Sequence, residues 1–233
     1  MINRNELVTF LDDFLLTPCP CKDASNNGLQ VEGGDDVERI VFGVDACLEL
    51  FEKAVEADAD AVVVHHGLSW NDSLKYLTGL NAARVGLLLR NEVSLYAAHL
   101  PLDMHPRVGH NAVIAERLAI SNREPFFKYG DSEIGWRGEL ATEMKLDRLV
   151  AEVDRVLKTV SSVTSFGPTT IRRVGIVSGG APDALECCAA EGLDCLITGE
   201  MDHTHYHTAK ELGVNVIAAG HYRSEVPGLE ALQ

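Results

Sequence analysis

Short runs of Val, Ile and Leu alternate along this chain with longer stretches in which apolar residues recur every three to four positions. Runs of the first kind read as buried strands and stretches of the second as amphipathic helices, so the pattern predicts β-α-β units and a largely parallel sheet. The predicted strands cover residues 39–45, 61–65, 93–98, 173–178, 195–198 and 214–219. The predicted helices cover residues 48–57, 81–91, 182–191 and 203–212, the last two closing at Gly192 and Gly213. In the middle, 133–140 reads as a strand. A helix over 144–157 follows it, with Leu146, Leu149, Val150, Val153 and Val156 on one face.

The two halves of the pattern repeat. A shift of 134 residues lays Ile40–Asp45 on residues 174–179 and residues 60–64 on 194–198, and each unit then runs through another helix and strand. The first half ends in His99-Leu100-Pro101-Leu102-Asp103 and the second in His221-Tyr222-Arg223-Ser224-Glu225, both His-x-x-x-carboxylate. The expected architecture is therefore α/β, with two pseudo-symmetric lobes of mostly parallel strands. Their boundaries fall at 1–128 and 129–233, the second lobe including the bridging strand and helix. The strand ends face a shared cleft, the usual place for a site in open α/β sheets.

Composition narrows the function classes. With 233 residues, 46% of them hydrophobic, the chain is long enough to bury a substantial core. Its 35 acidic and 20 basic residues leave a net charge of −15, which repels nucleic-acid phosphate and anionic membranes. The acid excess, with Arg outnumbering Lys, also suits a protein kept soluble in concentrated salt. No apolar stretch is long enough to span a bilayer and no signal-peptide layout opens the chain, so the expected location is cytoplasmic. Six cysteines in such a compartment read as thiols rather than disulfides. Cys19-Pro20-Cys21 lacks the second pair that a structural zinc site needs.

The chemistry gathers at strand ends. Val62-Val63-Val64-His65-His66-Gly67 places two histidines where a buried strand gives way to a turn. His99 and Asp103 follow the next strand, with Pro101 restricting the chain between them; otherwise, Asp103 would serve as a loop carboxylate capping the next segment. His221 and Glu225 follow the last strand after Gly220. Imidazole and carboxylate together suit Zn²⁺, Fe²⁺, Mn²⁺ or Co²⁺. Four histidines and two acids exceed what one tetrahedral ion requires, so a dinuclear centre of two divalent ions per subunit is the economical reading.

These motifs resemble a known family. Ser25-Asn26-Asn27-Gly28-Leu29-Gln30-Val31, His65-His66-Gly67, His99-Leu100-Pro101-Leu102-Asp103, Thr198-Gly199-Glu200 and Ala219-Gly220-His221-Tyr222-Arg223-Ser224-Glu225 stand in the order found in the Nif-three-like family, often labelled GTP cyclohydrolase type-two homologues. The resemblance spans nearly the whole chain. It implies a two-lobed subunit, a dinuclear metal centre and a toroidal homohexamer. Carried over residue by residue, it makes His65, His66, Asp103, His221 and Glu225 metal ligands, with His99 either a weaker ligand or a group that orients the others. Family members continue past His-x-x-x-Glu through a helix and a further strand, whereas the given sequence stops at Gln233; the resemblance therefore leaves an edge of the sheet and part of the oligomer contact open.

Three further features carry alternatives. In His203-Thr204-His205-Tyr206-His207, a helix would set His203 and His207 on one face at i and i+4. Only His207 matches a family position, as a candidate for substrate contact or proton transfer; His203 and His205 read as solvated. Glu200 falls at the repeat position of His66, as a general base or as a first-turn charge on the next helix. Ser178-Gly179-Gly180 reads as an anion nest for a nucleotide phosphate or as a plain tight turn. No Walker, dinucleotide-fingerprint or nucleophile-elbow motif is present. The expected function is a metal-dependent hydrolase, GTP cyclohydrolase type-two-like, acting on a nucleotide. The alternative is a ring-shaped metal-binding regulatory scaffold without turnover.

Overall fold

A computed structural model describes all residues, 1–233. The chain divides into two compact units, Met1–His105 with Gln233, and Pro106–Leu232. In chain order the first contains β1 (Ile2–Asn3), α1 (Arg4–Leu11), β2 (Gly28–Val31), β3 (Asp36–Val37), β4 (Ile40–Asp45), α2 (Leu48–Glu56), β5 (Ala61–His66), α3 (Gly79–Arg90), β6 (Ser94–Ala97) and α4 (Leu100–Met104). The second contains α5 (His110–Arg117), β7 (Ile120–Tyr129), β8 (Ser132–Lys145), α6 (Leu146–Leu157), β9 (Ser162–Thr164), β10 (Thr170–Val177), α7 (Ala184–Ala190), β11 (Cys195–Thr198), α8 (Tyr206–Leu212), β12 (Asn215–Ala218), α9 (His221–Ser224) and α10 (Val226–Leu232).

Each unit is built round three parallel strands. In the first, β4, β5 and β6 are adjacent; in the second, β10, β11 and β12 are. Ile40 pairs with Ala61 and Val174 with Cys195, so the registers agree at the 134-residue shift read from the sequence. The central parallel strands carry buried apolar runs, Val62-Val63-Val64 in β5 and Cys195-Leu196-Ile197 in β11, as strands enclosed in a parallel sheet do. Phe51, Val62, Val64, Leu88 and Leu95 form the core of the first unit. Leu149, Val153, Ile171, Val174, Ile176, Ile197 and Ile217 form that of the second. The face predicted for the helix at 144–157 is the one α6 buries, through Leu149, Val153 and Val156.

The sheets are mixed rather than mostly parallel, which corrects the sequence expectation. In the first unit β2 adds antiparallel to β6. In the second, the six-stranded order is β7-β8-β10-β11-β12-β9, and β7, β8 and β9 all enter by antiparallel pairing. The strands missed are edge strands or their partners. β7 buries only Ile120 and Phe126 and carries Ser121-Asn122-Arg123-Glu124-Pro125 on its exposed stretch. An edge strand tolerates polar residues and a proline because one side of its backbone needs no partner.

Candidate metal centre

In the first unit the site grows from the carboxyl ends of β5 and β6. Val62, Val63 and Val64 are buried, and the Ala98 N–H donates to the Val64 carbonyl at 3.0 Å, which brings His65 and His66 beside His99. The three rings pack at centroid distances of 4.6 to 5.6 Å, with the Trp70 and His99 ring centroids 4.9 Å apart in a T-shaped arrangement. Their metal-binding atoms all lie within 4.8 Å of one another. Asp103, buried in α4, sets Oδ2 3.6 Å from His65 Nε2.

Every Nδ1 in this group faces an oxygen. His65 Nδ1 donates to the Ala98 carbonyl at 3.0 Å, His66 Nδ1 to Asp45 at 2.8 Å and His99 Nδ1 to Asp23 at 2.8 Å. A donor to oxygen must carry the proton, so in the neutral rings Nε2 keeps the lone pair. This is the tautomer of an imidazole that binds metal through Nε2, with an oxygen behind it fixing the ring. The donors present therefore fit a divalent ion of the Zn, Fe, Mn or Co type.

The Ser25–Val31 motif braces this group. Gln30 Oε1 accepts from the Leu68 and Ser69 amides at 2.7 and 3.1 Å, while Gln30 Nε2 donates to the Asn26 carbonyl at 2.7 Å. The Gln30 amide fills the space where Gly67 would carry a Cβ, so a side chain at that position would displace the Gln30 amide from these bonds. Asn27 Oδ1 accepts from the His99 amide at 2.7 Å and its Nδ2 donates to Asp23 at 2.9 Å. Burial would raise the Asp23 carboxyl, but hydrogen bonds from His99 and Asn27 outweigh it and hold the group at about 2.

In the second unit the segments after β11 and β12 form another donor group. His221 opens α9 just after Gly220, whose φ of +91° allows the sharp entry. His221 Nε2 lies 3.0 Å from Glu225 Oε1 and its Nδ1 3.0 Å from Glu200 Oε2. Glu225 is 2% exposed, whereas the Glu200 side chain is 61% exposed. The hydrogen bond to Glu225, helped by Glu200, outweighs burial and pushes His221 up to about 9.

One alternative is decided here and one expectation corrected. The Ser178-Gly179-Gly180 turn is not an anion nest: the Ser178 amide donates to Asn111 at 2.6 Å and the Gly179 amide to Ser224 at 3.0 Å. Its glycines instead admit acidic side chains, Glu225 Oε1 lying 2.6 Å from where a Gly179 Cβ would stand. Nor is 203–212 one helix. His203–His205 is a 3-10 turn capped by Asp202, and His207 lies on α8, exposed, its ring edge-on to Tyr206. His205, read as solvated, is held between Asp202 at 2.6 Å and Asp183 at 2.9 Å.

The structure thus gathers His65, His66, His99 and Asp103 in the first unit, and His221, Glu225 and Glu200 in the second. Sequence reading missed the oxygen partners Asp23 and Asp45. A signal for Asp45 lay in the strands, since β4 and β5 pair Asp45 with His66 in register. Asp23 had none beyond its nearness to Ser25–Val31.

The family model described as Duf34/NIF3 (NGG1p interacting factor 3) matches residues 2–233. A Pyrococcus abyssi (strain GE5 / Orsay) protein named GTP cyclohydrolase 1 type 2 homolog is 45% identical over 234 residues, covering 99% of this chain and 92% of its own. A solved structure described as protein ybgI, of unknown function, matches with a TM-score of 0.92 at 34% identity, covering 99% of this chain and 92% of that one. The crystal structure of TTHA1606 from Thermus thermophilus matches with a TM-score of 0.90 at 35% identity, covering 99% of this chain and 91% of that one.

Proposed function

Because this chain belongs to the DUF34/NIF3 family, we propose that it is a divalent-metal-dependent hydrolase-like protein that holds two ions per subunit. The observation that carries this reading is the shared orientation of His65, His66 and His99, each with Nδ1 committed to an oxygen and Nε2 keeping the lone pair. His65, His66 and Asp103, together with His221 and Glu225, are the ligands in this reading, with His99 a further or weaker one. When bound, such ions polarise substrate oxygens and generate a nucleophile from water near neutral pH.

The chain's own residues supply orientation and proton handling. Asp45 and the Ala98 carbonyl fix the rings of His66 and His65. Glu200, exposed beside His221, is in this reading the group that accepts a proton from a substrate or an attacking water. Relatives carry the name GTP cyclohydrolase 1 type 2 homolog, and we extend that name to a nucleotide as the substrate class here. The test is Glu225→Ala. Elemental analysis should show loss of bound metal, and chromatography of nucleoside triphosphates incubated with the native ion should show loss of turnover. Full turnover by a metal-free variant would refute the reading.

A further inference from the structure

Asp23 has no place in the ligand set, yet its side chain is 4% exposed and four donors converge on it. Oδ1 accepts from the Ser25 amide at 3.0 Å and from His99 Nδ1 at 2.8 Å. Oδ2 accepts from Asn27 Nδ2 at 2.9 Å and from the Leu100 amide at 3.0 Å. Leu100 opens α4, the helix that carries Asp103, and the Asp103 amide donates back to the His99 carbonyl at 3.2 Å. One carboxylate therefore grips both the ring of His99 and the first turn of the helix that presents Asp103. The equivalent partner of His66, Asp45, is 56% exposed and lacks such a cage.

We propose that Asp23 is a positioning residue that locks His99 in the Nδ1–H tautomer and sets α4, so that His99 Nε2 and Asp103 are preorganised toward a divalent cation. The proposal rests on the metal-binding reading above. A carboxylate is required because it accepts at both oxygens. An asparagine at this position turns an NH₂ either toward His99 Nδ1 and the Ser25 amide, or toward Asn27 Nδ2 and the Leu100 amide. The first arrangement forces the His99 proton onto Nε2 and removes the lone pair a metal would take. The second sets donor against donor at the start of α4.

The test compares the wild type with Asp23→Asn, both labelled with ¹⁵N-histidine, stripped by chelator and studied near pH 8. Two-bond ¹H–¹⁵N correlation spectra should show wild-type His99, assigned with His99→Gln, protonated at Nδ1. Asp23→Asn should shift that population toward Nε2–H, and titration calorimetry with Zn²⁺ should show affinity lower by about 10- to 100-fold. A wild-type His99 protonated at Nε2 would overturn the proposal by itself, even if the variant fails to fold. So would a folded variant with unchanged tautomer and unchanged Zn²⁺ affinity. A wild type that binds no Zn²⁺ would count against the metal reading instead, while its spectrum would still decide the role of Asp23.

Discussion

Glu225 Oε1 lies 2.6 Å from the point where Gly179 would carry a Cβ, and the same oxygen is 3.0 Å from His221 Nε2. The turn after β10 is therefore shaped to admit a buried carboxylate. Gly179→Ala adds a methyl into that contact at a φ of +67°. The backbone strain costs about 1 kcal/mol, and the displaced carboxylate should weaken Zn²⁺ binding roughly 10-fold or more by calorimetry. Gly180→Ala is the control. Its Cβ would come no closer than 3.2 Å, to the exposed Glu200, so stability should hold within about 0.5 kcal/mol. Equal affinities for the two variants would contradict the role given to Gly179.

The pH dependence of the chelator-treated protein follows from His221. Its folded value, about 9, stands above the ordinary 6.5. Stability from the Glu225–His221–Glu200 contact is thus fully present below about 6.5 and is lost as pH rises through about 9. Because the His221 side chain is 37% exposed, solvent screening limits the effect to about 1 kcal/mol. Scanning calorimetry should show Tm falling by roughly 2–4 °C across this window, and His221→Gln should remove that part of the fall. An identical pH profile in the variant would contradict the prediction.

Gln30 supports the His65-His66-Gly67 turn through the Leu68 and Ser69 amides. Gln30→Ala strips the acceptor from the Leu68 and Ser69 amides, a loss of about 1–3 kcal/mol. Thermal unfolding should register it as a lower Tm, and Zn²⁺ affinity should fall with it. An unchanged Tm would show that water replaces the side chain at no cost.

The parallel core was legible because strands buried on both faces cannot hide their apolar runs: Val62-Val63-Val64 and Cys195-Leu196-Ile197 announce themselves. The antiparallel strands were not, since an edge such as Ser121–Pro125 exposes polar groups that read as loop. The same divide runs through the site. His65, His66, His99, Asp103, His221 and Glu225 stand out because metal-binding residue types recur at strand ends. Asp23 and Gln30 act through chain folding that brings residues 23–30 against 67–69 and 99–100, and no local pattern encodes that. The Gly179 turn stayed open between a nest and a plain turn for a related reason: a glycine that admits a carboxylate is indistinguishable in sequence from one that admits a phosphate.

The dinuclear reading stands or falls on the metal content of protein purified without added metal, measured by elemental analysis against protein concentration. About two equivalents of a transition metal per chain, falling on Glu225→Ala, is the expected result. Wild-type protein that carries no transition metal, and takes up none on dialysis against Zn²⁺, Mn²⁺, Fe²⁺ or Co²⁺, would contradict it.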